Sequence, residues 1–106
     1  MCFHTIQSKI AMQIEGRFNA EIRDKKDFDS HEHINGFDFP KTPVITNEKP
    51  VIIEHYNWGI ILLWAKDDQI NAMTLTAKIE TIYDKPSFRD ATNQRYLVIA
   101  NGFYEW

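Results

Sequence analysis

Apolar positions recur along this chain with helical spacing in one stretch and with strand-like density in several others. Ile10, Ile14 and Phe18 fall four residues apart behind Ser8, a good helix-capping residue, and predict an amphipathic helix within residues 8–22. Gly16 weakens that helix at its centre. Residues 44–45 and 51–54 are short apolar runs parted by the turn-forming residues 46–50, which predicts two strands. Residues 56–64, from Tyr56 through Trp58 and Gly59 to Trp64, predict a buried strand that closes in a turn at 66–68. In residues 70–83 the β-branched Thr74, Thr76, Ile79, Thr81 and Ile82 favour strand over helix. Pro86 announces a short helix over 87–92, and residues 96–100 read as a strand. Residues 24–43 mix charge, Gly and Pro with Phe28, Phe37 and Phe39, and predict a long packed loop. There is no internal repeat or linker. The predicted class is α+β, rich in sheet and poor in helix.

Composition adds limits. The chain has 106 residues, 43% of them hydrophobic and 25% charged, which suits one globular domain and excludes a disordered or disulfide-built chain. The net charge of −3 gives no overall basic footprint, so an anionic partner must be held by a local patch. Cys2 is the single cysteine, so no disulfide can form within the chain, and a reducing, cytoplasmic setting is expected. No apolar run approaches the ~20 residues that span a bilayer, and residues 1–13 lack the pattern of a signal peptide. No membrane partner is expected. The last ten residues are strand-like and end on aromatics, which points to the front part of something longer.

Chemistry concentrates at the two ends. Cys2 becomes an N-terminal aminothiol if Met1 is removed, with an amine that can serve as base for the thiol and can condense with an aldehyde. Glu105 alternates with Tyr104 and Trp106. There it is either a general acid or base made costly by apolar neighbours, or simply the wet side of a strand. The stretch from Asp27 to His33 holds two His and three acids but has neither the Cys pair nor the HExxH spacing of a metal site. A solvated acidic loop is the better reading, and neither metal nor cofactor is expected. Lys78, Lys85, Arg89 and Arg95 share a stretch with Tyr83 and Phe88, behind Trp58 and Trp64. Cations interleaved with aromatics suit a single nucleic-acid strand.

Taken together, these pieces resemble one family. Met1-Cys2 opens the chain, and residues 58–64 are similar to a WGLIPxW motif. Residues 76–81 and 85–89 resemble NARxET followed by KPSFR, and residues 95–106 resemble RCLVPADGFYEW. These are the ordered motifs of the SRAP family (SOS response-associated peptidases), and the resemblance spans essentially the whole chain. It implies a partly open, barrel-like SRAP fold, with residues 1–106 as the N-terminal part of a single domain. It implies a cysteine-type peptidase that removes its own leader and forms a thiazolidine crosslink with abasic sites in single-stranded DNA.

The resemblance assigns Cys2 as nucleophile and Glu105 to proton transfer, with Thr76 where the family has Asn. It assigns DNA contact to His4, Trp64, Lys78 and Arg89. A further catalytic histidine is implied beyond Trp106. The departures are specific. Thr76 lacks the amide's paired donor and acceptor, Lys78 lacks the bidentate geometry of Arg, and Phe3-His4 stands where the family has Gly-Arg. The alternatives are an inactive fragment that self-associates through an exposed sheet edge, and a generic N-terminal cysteine hydrolase or amidotransferase, which leaves the GFYEW ending unexplained.

Overall fold

Ile14, Ile22, Ile45, Ile53 and Ile99 meet in one buried cluster with Ala20, and that meeting organises the chain. The structure is a computed structural model that describes residues 2–105 apart from Asp68, with Asp27 described by its backbone alone. Helix α1 (Ala11–Phe18) is shorter than the spacing of its apolar residues suggests. Its first turn is held by Gln13, whose Oε1 accepts from the Ile10 N–H at 3.2 Å, and Ser8 lies outside it. Asn19 ends it in the left-handed conformation, φ 50°. Ile22 then leaves the helical path because it pairs in parallel beside Ile53 as strand β2 (Glu21–Ile22).

Two sheets follow from the pairing. Strands β1 (His4–Gln7), β3 (His31–Asn35) and β7 (Gly102–Tyr104) make one, in the order β3-β1-β7. Strands β2, β4 (Lys41–Thr46), β5 (Ile52–Asn57) and β6 (Tyr96–Val98) make the other, in the order β2-β5-β4-β6. Among the described residues the sheets form no closed barrel. Strand β4 is buried from residue 42 to 46, since β5 and β6 flank it and both of its faces are covered. Its Ile45 stands opposite both Ile53 and Leu97, so one face of the larger sheet carries the isoleucine core.

Three expectations are corrected. The stretch 24–43 is not one loop but holds β3 and the start of β4. Strand β3 reads HEHIN, with Ile34 its one buried residue, so pairing with β1 creates it and hydrophobic rhythm does not. The strand expected over 56–64 stops at Asn57. Gly59 adopts φ 101°, a conformation that favours glycine, and Ile61 and Leu63 beyond it are exposed. Residues 70–83 form a 3-10 turn (Gln69–Met73) and further turns. The Thr74 hydroxyl donates to Ile60 O and accepts from Ile60 N–H, so its polar group serves a loop contact. The short helix after Lys85 is present as α2 (Pro86–Arg89).

Gly36 marks a close approach of backbone and ring. A Cβ there would lie 3.1 Å from Phe3 O and from the Trp58 ring, with Gly36 N–H donating to Phe3 O at 2.8 Å. Gly36→Ala is therefore expected to destabilise by about 1–3 kcal/mol, the usual cost of overpacking a tight contact. Denaturant unfolding checks this, and Gly16→Ala is the comparison, because no atom lies within 4 Å of the Cβ it would add.

Candidate active site at the paired chain ends

Strand β1 runs between β3 and β7, and this places residues a hundred positions apart side by side. His4 stands opposite Tyr104, Thr5 opposite Phe103, and Ile6 opposite Gly102. The antiparallel direction brings Cys2 and Glu105 to the same end of the sheet. Asn101 reinforces the other end: its N–H donates to Ile6 O at 2.9 Å, and its Oδ1 accepts from Ser8 N–H at 2.8 Å.

Cys2 is half-buried and donates its thiol proton to His4 O, with Sγ 3.2 Å from the oxygen. It lines an open concavity of about 300 Å³ with Thr5, Val98, Ala100, Gly102 and Phe103. These walls are mostly apolar, and Phe103 is 66% exposed. A flat organic group could rest there against the thiol. Glu105 follows the last residue of β7 and is exposed, so these residues do not bury its carboxylate.

Beside Cys2 runs a row of rings that sequence reasoning missed. Phe3 and Phe37 stack at 5.0 Å, and Phe37 meets His4 at 6.4 Å. His4 in turn meets His33 at 5.0 Å, and His33 meets the Tyr104 ring edge-on at 5.4 Å. His33 Nε2 and His4 Nδ1 lie 3.0 Å apart, at hydrogen-bond distance. The Tyr104 hydroxyl donates to Glu32 O. The one sequence signal is the His31-Glu32-His33 alternation, which suits a loop as well as a strand edge facing β1. Among the described residues no group of three or more His, Cys, Asp or Glu is arranged to hold a metal ion.

The second group of expected site residues sits on the irregular segment after β5. Trp58 anchors it, with its indole N–H donating to Leu75 O at 2.9 Å. That bond fixes the backbone immediately before Thr76, which is half-buried, and Lys78, which is exposed. Trp64 is exposed, as are Arg89, Lys85 and Arg95. Arg89 lies 3.9 Å from the exposed Asp90 carboxylate. The aromatic half of the basic stripe divides: Trp64 and Tyr83 are exposed, whereas Phe88 is buried and Trp58 is committed to its loop bond.

A further polar cluster lies on the larger sheet. The Tyr56 hydroxyl donates to Glu54 at 2.8 Å, Arg23 pairs with it at 2.7 Å and Lys49 at 3.3 Å. The Tyr56 bond above all, with Lys49 and Arg23, holds the Glu54 carboxyl below its ordinary range despite some opposition from desolvation. A carboxylate favoured in the folded state contributes stability above the ordinary carboxylate range and loses it as pH falls through the lowered value. Unfolding midpoints should therefore fall on acidification below about pH 4.3, the free glutamate value. In Glu54→Gln the fall should be shallower, as thermal melts at several pH values will show.

Comparison with known proteins settles the family. The model for SRAP, SOS response associated peptidase, matches residues 1–106. This chain belongs to the SRAP family. It is 44% identical over 50 residues to the abasic site processing protein YoqW of Bacillus subtilis, a stretch that is 46% of this chain and 22% of that one. The abasic site processing protein YoaM of the same organism is also 44% identical over 50 residues. A crystal structure of a protein from Bacteroides thetaiotaomicron superposes with a TM-score of 0.86 at 32% identity, covering 99% of this chain and 48% of that one. This SRAP-family chain thus spans about half the length of the solved relative. Of the SRAP motifs noted above, Cys2 and GFYE lie at the paired sheet end, and the Trp58-Gly59 and Thr76–Lys78 pieces lie on the segment that Trp58 anchors.

Proposed function

We propose that this protein processes abasic sites in single-stranded DNA by covalent capture through Cys2. The observation that carries the reading is the placement of Cys2. Its half-buried thiol opens on a concavity beside β7, within a chain of the SRAP family whose relatives carry the name abasic site processing protein. Removal of Met1, by autoproteolysis of the leader, exposes the Cys2 amine. That amine attacks the aldehyde carbon of the ring-opened sugar, and loss of water leaves an imine. The thiolate then adds to the imine carbon and the nitrogen takes up a proton, closing a thiazolidine. Glu105, at the same end of the sheet, exchanges the protons these steps need. Lys78 and Arg89 meet phosphates, and the exposed rings of Trp64 and Phe37 offer faces to unpaired bases. Thr76 holds the sugar by its hydroxyl.

The test is incubation with single-stranded oligonucleotides followed by denaturing electrophoresis. A retarded band with the abasic strand and none with the intact strand supports the reading; no band with either, from this chain or a longer one containing it, sinks it. A second reading is favoured by exposed apolar residues on β6 and β7. Leu97, Val98 and Phe103 are each more than half exposed, which suits self-association through the edges that β6 and β7 form on the two sheets. A monomeric mass in solution removes it.

A further inference from the structure

The two rings of His4 and His33 make a specific arrangement. Their planes differ by 29°, and the 3.0 Å N···N separation accounts for most of the 5.0 Å between ring centres. The rings therefore lie edge to edge, with Nδ1 of His4 directed at Nε2 of His33. Such a bond contains one proton: one nitrogen donates and the other accepts. Two neutral imidazoles can make it, and so can one neutral and one charged. Two charged imidazoles cannot, because both nitrogens then carry hydrogens that point at each other. The bond ties β3 to β1 at the first residue of β1, and it is the carbonyl of that same residue that holds the Cys2 thiol.

We propose that His33 is a positioning residue for Cys2, and that the His4–His33 bond is a latch on the thiol. This rests on the reading of Cys2 as the reactive group. With the latch closed, His4 is fixed from two sides and its carbonyl keeps the thiol proton engaged. The thiolate is the reactive form, so the sulfur–carbonyl bond must break before the sulfur can attack. With the latch removed, the start of β1 loosens and the thiol is released.

The surrounding titratable groups are Cys2 beside β1, His31 and Glu32 on β3, Asp38 in the following turn (Gly36–Asp38), and Tyr104 and Glu105 at β7. Tyr104 packs edge-on against His33 and gives its hydroxyl to Glu32 O, so it supports the ring without competing for the shared proton. His31 lies 3.8 Å from the Asp29 carboxylate, on the outer end of β3.

The test uses the rate at which a small aromatic disulfide reagent modifies the thiol. Cys2 is the single cysteine, so the signal is unambiguous, and no DNA is involved. His33→Ala should react about five-fold faster than the parent chain, the worth of one net hydrogen bond. His33→Gln, whose amide can either donate or accept, should restore the parent rate. A His33→Ala rate equal to the parent, or a Gln variant that behaves as Ala, overturns the latch. Should the Ala variant fail to fold by circular dichroism, His33→Phe, which keeps a ring and removes the bond, takes its place with the same expected gain of about five-fold. Failure of abasic-site capture in the electrophoresis assay would count against the function of Cys2 and leave this measurement standing, so the two can fail separately.

Discussion

Cys2→Ala is expected to abolish the denaturation-resistant adduct with an abasic strand, with a loss on the order of a thousand-fold or more, as for other catalytic nucleophiles. The size follows from the chemistry. The thiol is the one nucleophilic sulfur in the chain, and ring closure needs it after the amine has formed an imine. Cys2→Ser separates the two steps. Both variants are compared with Met1 already removed, verified by intact mass; serine then keeps the amine and a weaker nucleophile, so an imine should still form but not persist through denaturation. Reducing the mixture with borohydride before electrophoresis should then trap an adduct with the Ser variant. The Ala variant keeps the amine as well, and its adduct should likewise depend on reduction. A full-strength adduct from either variant without reduction would show that the sulfur takes no part. The small side chain and partial exposure of Cys2 mean that folding should be preserved in both, which circular dichroism verifies.

The largest expected effect on stability is at Ile53. It is fully buried near the start of β5 and pairs with Ile45 on one side and Ile22 on the other. Truncation to Ala removes three carbon atoms from a packed cluster and leaves a cavity that the flanking strands cannot close, which typically costs about 2–5 kcal/mol. Domains of this size hold only ~5–15 kcal/mol in total, so Ile53→Ala should lower the denaturant midpoint severely or prevent folding. Leu63→Ala is the control. Its side chain is fully exposed, and its removal should shift the midpoint within about 0.5 kcal/mol, as for other surface changes. Ile53→Val, which removes a single methylene, should cost about 0.5–1.5 kcal/mol and gives a graded point on the same urea unfolding series. Equal midpoints for Ile53→Ala and Leu63→Ala would mean that the isoleucine cluster does not hold the sheet together.

These two sites differ in how far they could be read beforehand. Ile53 sits in a β-branched run, and such runs report burial directly, because they fit a pleated surface that is covered. The same rule misled at Leu63, where an equally apolar run follows Gly59. A positive φ at that glycine turns the chain out of the sheet, and hydrophobic content alone carries no information about that turn. In the opposite direction, β3 lacks an apolar rhythm and exists because β1 presents it with an edge. Thr74 looked like a strand former by its branching, yet its hydroxyl is taken by the Ile60 backbone.

What the chain's residues determined by themselves was the α+β, sheet-rich class that the structure shows and the chemistry of the candidate residues: a thiol at Cys2, a carboxylate at Glu105 and cations at Lys78 and Arg89. Those are properties of side-chain chemistry and local spacing, which need no long-range contact to be seen. Proximity was decided by the tertiary structure. Residues 4 and 104 face each other because β7 pairs antiparallel to β1, and His4 meets His33 because β3 pairs on the other side. Solvent exposure was decided there as well: Glu105 follows β7 and is exposed. Pairing between distant strands depends on which backbone edges remain open once the core has closed, and a residue's own neighbours in sequence do not encode that.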